Sequence, residues 1–288
     1  MSSVLLFLIF AAWGAGITPL AIKLAQRYGV LDYPGARKIH HAPMPRGAGL
    51  VVWLGFLLWA LLFAESSLNL KIAVSGATLV FFAGYLDDML SMSPFGRLAA
   101  HFLAAVLSLF LVPGCGFVSM AVFLFWIAGV INAYNFIDGM NGLSLVMSFM
   151  TLTFTGIMSG ISWAVPAAGI AAGVFPWNFP RAKTFLGDGG VYMLGYLAAV
   201  VTMLWLSSMQ LGFFKLCLAL LLIGGVPVID TLCAITRRVL SGKSPFYPDR
   251  GHIHHRLLDR GLPPQKVLLI LAVLHGISLF AAWLLLRQ

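Results

Sequence analysis

Charge is scarce in this sequence. Of its 288 residues only 9% are Asp, Glu, Lys or Arg, while 60% are hydrophobic. A soluble domain usually carries about 25% charged residues. That excludes an ordinary soluble globular protein, and also a disordered chain, which needs low hydrophobicity and high charge. Acids are scarcer than bases: nine Asp and Glu against 18 Lys and Arg leave a net charge of +9. Loops retained on the cytoplasmic side of a membrane are rich in Lys and Arg, so this excess is no sign of a nucleic-acid partner. The three cysteines, Cys115, Cys217 and Cys233, are far apart and show no metal or redox spacing. No internal repeat or low-complexity tract is visible. Met1-Ser2-Ser3 carries no basic side chain ahead of the first apolar run, which therefore reads as a span and not as a cleaved leader.

What the chain has is long apolar runs, with a mean hydropathy of +0.96. A bilayer span takes about 20 apolar residues. Ten segments qualify, some near the lower limit: 4–22, 49–64, 72–86, 98–113, 117–133, 143–159, 162–176, 191–207, 213–234 and 267–286. The expected fold is all-α: one polytopic transmembrane helix bundle over 1–288. The loops after the odd-numbered spans hold 15 of the 18 basic residues, and the other side keeps only Lys71, Lys215 and Arg287. The positive-inside rule then puts both termini outside. Of the nine acids, only Glu65 falls on the outer side. One face, the cytoplasmic one, therefore carries almost all the chemistry.

Five motifs lie on that face. Gly84-Tyr85-Leu86-Asp87-Asp88 ends the third span. Two acids at a helix C-terminus oppose the helix dipole, so the pair is either a solvated loop start or a metal or phosphate site. Asn132, Asn135 and Asp138 form a polar stripe along the end of the fifth span, before Gly139, Asn141 and Gly142. Asn in a membrane helix also serves plain interhelical hydrogen bonding. Phe185-Leu186-Gly187-Asp188-Gly189-Gly190, preceded by Lys183, leads into the eighth span. It is either an ordinary turn or an acid held beside phosphate-binding amides. Arg250-Gly251-His252-Ile253-His254-His255-Arg256 lies in the longest cytoplasmic loop. Its histidines could bind zinc, but with no nearby cysteine and with flanking arginines an anionic phosphate suits them better. The fifth is the basic run Arg37 to Gly49, with Lys38, His40, His41 and Pro45-Arg46-Gly47. His101 and His275 read as packed inside the bundle. If Asp87, Asp88, Asp138 and Asp188 converge, each close pair repels by about 4 kcal/mol at an effective dielectric of 20. Such a cluster needs a cation, and oxygen-only ligands favour Mg²⁺ over zinc.

In this order the five motifs resemble the polyprenyl-phosphate N-acetylhexosamine-1-phosphate transferase family, over residues 32 to 260. That family includes phospho-MurNAc-pentapeptide translocase and the bacterial initiators of O-antigen and enterobacterial common antigen. Pro45-Arg46-Gly47 and His252 to His255 look more like the initiators. The resemblance implies transfer of an N-acetylhexosamine 1-phosphate from a UDP-sugar to undecaprenyl phosphate in the inner (plasma) membrane, the first membrane step of cell-surface polysaccharide synthesis. It implies Mg²⁺, or Mn²⁺ in its place, and a homodimer. By resemblance Asp87, Asp88 and Asp188 are metal ligands, and with Asp138 they form the catalytic set. Lys38, Asn132, Asn135, Asn141, Lys183, His252, His254, His255 and Arg256 are the substrate-binding set. Three positions depart from the family pattern. Ser91 stands where some initiators carry a third acid, Asn141 replaces an acid, and Val191 follows Gly190 where a small hydroxyl residue is usual. Two other classes remain: a secondary transporter for an anionic solute, which would place its ionisable groups at the bilayer midplane in repeated halves, and a non-catalytic membrane scaffold.

Overall fold

The computed structural model describes residues 2–34, 42–245, 247 and 249–287. The chain is a bundle of helices: α1 Ser3–Arg27, α2 Ala48–Leu62, α3 Leu68–Leu90, α4 Pro94–Leu109, α5 Phe117–Ile137, α6 Leu143–Ser159, α7 Ala164–Asn178, α8 Gly187–Ser207, α9 Phe213–Leu240, α10 Ile253–Asp259 and α11 Pro264–Arg287. A two-residue antiparallel pair, β1 Leu31–Asp32 with β2 Met44–Pro45, ties the α1–α2 connection. Each of the ten apolar segments falls on one helix; α10 is the addition. Six helices, α1, α3, α5, α8, α9 and α11, are long and apolar enough to cross a membrane, while α2, α4 and α6 are shorter apolar helices. The chain is thus an all-α integral membrane protein.

Local sequence sets the ends. Ser67 and Ser93 cap α3 and α4, accepting from the N–H groups of Leu70 and Gly96 at 3.1 Å each, and Pro94 takes the first position of α4, where its missing N–H is harmless. Asp87 helps stop α3: its Oδ1 accepts the Met92 N–H at 2.7 Å, beyond a left-handed Ser91.

The centre of the bundle is α8. Of its apolar window 94% is buried, against 28% in α1, and it packs on α2, α3, α5 and α6. Lipid tails are as apolar as the side chains, so helices here associate by close packing of small residues. At the α3–α8 seam a Cβ on Gly84 would lie 2.4 Å from the Asp188 carbonyl carbon, and one on Gly49 of α2 would lie 2.7 Å from the Gly190 nitrogen. Three helices therefore touch backbone to backbone at one end of α8. Helix α9 breaks at Gly225 (φ 49°) just before Pro227. The Val226 N–H freed by the break donates to buried His275 Nδ1 at 3.4 Å, and His275 Nε2 meets Thr151 Oγ1 at 2.9 Å. That accounts for His275 inside the bundle.

Candidate active site

The glycine seam delivers the acids. The last turns of α3 carry Asp87 and Asp88, and the first turn of α8 carries Asp188. With Arg46, Arg97, Asp32 and Ser91 they line one cleft of about 460 Å³. Gly187, at φ +70°, turns the chain into α8, and a Cβ there would sit 2.5 Å from Asp88 Oδ2. The opening leaves Asp88 Oδ2 free to accept the Asp188 N–H at 2.9 Å. The N-terminal amide of α8 thus holds a carboxylate of α3, a favourable use of a helix N-terminus.

Each acid has a different environment. Asp88 Oδ1 pairs with Arg46 Nη1 at 2.6 Å, and the other nitrogen of the same guanidinium pairs with Asp32. Arg46 is brought there by β1–β2 and by its N–H, which donates to Val30 O at 3.0 Å. Asp87 Oδ2 pairs with Arg97 Nη1 at 3.0 Å and accepts the Tyr192 hydroxyl at 3.1 Å. Asp188 has no ion pair among the described residues; its side chain meets the Tyr192 hydroxyl at 3.5 Å and the neighbouring Asp87 carboxyl. Four carboxylates thus share a cleft in which Arg46 serves Asp88 and Asp32 and Arg97 serves Asp87, leaving Asp188 without an ion pair among the described residues.

A second cluster adjoins the first. Asp138 closes α5 and accepts the Ser144 hydroxyl, and it lies within electrostatic reach of Asp88 and Asp188. The next residue, Gly139, has no Cβ; one there would come 2.5 Å from His254 Nε2 and 3.3 Å from His255 Nε2. Helix α10 therefore lays its histidines on the Asp138–Gly142 turn. Asn178 supports that turn, accepting the Gly142 N–H at 2.5 Å and donating to Thr184 O at 2.9 Å. His252 is engaged on both nitrogens: Nδ1 meets Asp230 at 2.8 Å and Nε2 meets Arg238 at 3.2 Å. Asp249 completes this clasp. Burial would raise its carboxyl, but Arg238, the Gly251 N–H and Arg237 hold it well below the usual carboxylate range. His254 is fully buried, and neither ring nitrogen has a hydrogen-bond partner. Burial, with His255 and His252 alongside, pushes it down to about 3, and burial likewise lowers His255. Burial thus favours the neutral form of both rings, which carries one N–H donor and one acceptor nitrogen.

The other expected site residues are dispersed. Asn132 does not face the cleft: its Nδ2 reaches His101 Nδ1 at 2.9 Å and Ala128 O at 2.7 Å. Asn135 and Asn141 are half-buried. Lys183 is exposed, its ammonium 4.9 Å over the Trp177 ring, and Arg256 is exposed on α10. Lys38, like the rest of 35–41, lies outside the described residues. Sequence reading missed Arg97 and Tyr192 as site residues and counted Arg46 only within a basic run. Signals existed for two of them. Arg97 sits in the first turns of α4, directly after the short connection from Asp88, so the two ends must meet. Tyr192 follows Asp188 by four residues and shares its helix face.

The cleft suits a hard divalent cation. Its donors are all oxygen, and one carboxylate lacks a counter-charge. No group of three Asp, Glu, His or Cys side chains among the described residues is gathered at metal-binding geometry, but Mg²⁺ is usually held by one or two carboxylates plus substrate phosphates.

Residues 70–206 match glycosyl transferase family 4, a stretch that runs from α3 to α8 and includes Asp87, Asp88, Asp138 and Asp188. A Bacillus subtilis protein named "Probable undecaprenyl-phosphate N-acetylglucosaminyl 1-phosphate transferase" is 30% identical over 279 residues, covering 88% of this chain and 77% of that one. The decaprenyl-phosphate N-acetylglucosaminephosphotransferase of Mycolicibacterium smegmatis is 30% identical, covering 90% and 76%. The undecaprenyl-phosphate alpha-N-acetylglucosaminyl 1-phosphate transferase of Escherichia coli is 26% identical, covering 88% and 76%. With its acids, arginines and histidines gathered at one end of an apolar bundle, the chain belongs to glycosyl transferase family 4, among the polyprenyl-phosphate N-acetylhexosamine-1-phosphate transferases.

Proposed function

We propose that this protein transfers an N-acetylhexosamine 1-phosphate from a UDP-sugar to polyprenyl phosphate and releases UMP. The observation that carries the reading is the single cleft at the ends of α3 and α8, where Asp87, Asp88 and Asp188 face Arg46 and Arg97. An oxygen of the lipid phosphate attacks the sugar-bearing phosphorus, the bond from that phosphorus to the bridging oxygen breaks, and the electrons leave with UMP. A phosphate monoester has a second pKa near 6, so the lipid nucleophile is largely dianionic at neutral pH and needs no strong base. Positioning and charge neutralisation dominate, as in other phosphoryl transfers.

Asp188 with Asp87 would hold Mg²⁺, with Asp88 beside them on Arg46, and the ion when bound supplies charge neutralisation to the donor's phosphates. Arg46 and Arg97 keep the carboxylates of α3 in place and present cationic edges to the lipid phosphate. Asp138 and the neutral His254 and His255 form the nucleotide end, where the single N–H of an otherwise unpartnered His254 is available to a donor phosphate. A transporter reading finds no support, because the acids gather at helix ends and not along a midplane.

The same reading makes all ten apolar helices spans, with both termini outside and the cleft facing the cytoplasm of the inner membrane. Ser244, exposed in the α9–α10 connection, then lies inside and Cys115 outside. In intact cells Cys115 should react with an impermeant maleimide, slowly because burial pushes its thiol up, and Ser244→Cys should be shielded. Labelling of Ser244→Cys from outside reverses the orientation.

The donor is expected to be a plain UDP-N-acetylhexosamine. The long loop is taken up by the Asp249–Arg238–His252 clasp, which leaves little chain to read a peptide. A donor panel with undecaprenyl phosphate and Mg²⁺, scored by lipid-linked product, tests this; preference for UDP-MurNAc-pentapeptide over every simple donor would refute it.

A further inference from the structure

We propose that Tyr192 is a positioning residue for the acidic cleft. Its hydroxyl holds Asp87 and Asp188 together across the α3–α8 seam, so that a divalent cation meets a preformed pair of oxygen ligands. The inference rests on the metal reading given above.

Tyr192 lies on α8 one turn after Asp188, fully buried. Its oxygen is 3.1 Å from Asp87 Oδ2 and 3.5 Å from Asp188 Oδ2. A phenol has one hydrogen to donate, so the hydroxyl serves the two touching carboxylates in turn, while its oxygen accepts from Arg97. Besides the neighbouring Asp87 carboxyl, it is the side-chain group that Asp188 meets among the described residues. A cation in this place would satisfy Asp188 electrostatically and leave nothing for a metal to do; a neutral hydroxyl orients the carboxylate and leaves its charge available.

The ring is itself held. The His101 ring meets it edge to face, with centroids 4.6 Å apart at 86°. His101 is fully buried, and its Nδ1 is engaged by Asn132 Nδ2 at 2.9 Å. The polar stripe on α5 therefore has a function at one remove: Asn132 sets the His101 ring, His101 sets Tyr192, and Tyr192 sets the carboxylates. Partners of this kind orient metal ligands, and losing one typically costs about 10–100-fold in metal affinity or activity.

The test is Mn²⁺ binding to purified detergent-solubilised protein without substrate, read as loss of the free-Mn²⁺ EPR signal. Wild type should bind and Asp188→Asn should not. Tyr192→Phe, which removes one oxygen, should bind about 10–100-fold more weakly. In turnover it should raise the Mg²⁺ concentration needed for half-activity while leaving the KM for UDP-sugar unchanged. Replacing Tyr192 by 4-aminophenylalanine, which restores a donor on the same ring, should recover the affinity, and it stands in as the decisive variant if Tyr192→Phe does not fold. Wild-type Mn²⁺ affinity in folded Tyr192→Phe overturns the proposal and leaves the metal reading standing. Wild-type Mn²⁺ binding only when UDP-N-acetylhexosamine is added overturns the preformed pair and leaves the metal reading standing; no Mn²⁺ binding with or without it overturns both.

Discussion

Asp188→Asn should lower transfer by about 10²–10³-fold, the size seen when one preorganised charge-stabilising group is removed, while leaving the protein at least as stable as wild type in chelator. The two halves of this expectation come from one observation. Asp188 has no ion pair among the described residues, so the substitution breaks no salt bridge. It removes one member of a crowded carboxylate set and so relieves repulsion. Asp87→Asn differs, because that side chain pairs with Arg97 and stops α3 through the Met92 N–H. Stripping a partner from this part-buried pair should cost about 1–3 kcal/mol, the penalty for a hydrogen-bonding group left unmet. Melting temperature in detergent with chelator, run beside turnover in Mg²⁺, separates the two roles. An Asp188→Asn protein that turns over normally removes Asp188 from the chemistry; one that melts far below wild type makes it a structural residue.

Gly84→Ala should be nearly as damaging, although it adds one methyl and touches no charged group. The new Cβ would lie 2.4 Å from both the Asp188 carbonyl carbon and the Gly189 nitrogen. Both are backbone atoms, so no side chain can swing away, and α3 must move off α8. Overpacking of this kind costs about 1–3 kcal/mol. The catalytic effect should be larger, because Asp87 and Asp88 move with α3 while Asp188 stays on α8. A misplacement of about 1 Å can cost about 10²-fold. Gly129→Ala is the control: its Cβ meets nothing within 4 Å on an exposed face of α5, and Ala is the better helix former by about 1 kcal/mol. It should be neutral or stabilising with full activity. Equal behaviour of the two variants in melting and turnover would disprove the seam's role.

The helices were legible because a span must be apolar over its whole length, which a single sequence records directly. Their order in depth was not. Helix α8 is the buried centre and α1 faces outward, yet both read as unbroken apolar runs, since lipid and protein interior ask for the same side chains. Helix α10, seven residues long, was invisible because its histidines and arginines interrupt any apolar pattern. Among the site residues, Asp87, Asp88 and Asp188 were found because charge at a span's end is costly and conspicuous, and the structure brings these three together. Asn132 was read with Asp138 as one stripe, but a shared helix face does not say what lies opposite; across from Asn132 is His101. Arg46, Arg97 and Tyr192 escaped for a related reason. Basic residues in cytoplasmic loops are expected on topological grounds alone, and a tyrosine in a span resembles packing until its hydroxyl finds two carboxylates.

The most direct test of HexNAc-1-phosphate transfer follows the phosphorus. Purified protein is given undecaprenyl phosphate, Mg²⁺ and a UDP-N-acetylhexosamine labelled with ³²P in the phosphate next to the sugar. The expected result is label in the lipid fraction, one UMP released per labelled lipid, and no reaction without the lipid phosphate. Label left on a released UDP, with unlabelled sugar on the lipid, would show attack at the sugar carbon and contradict the assignment.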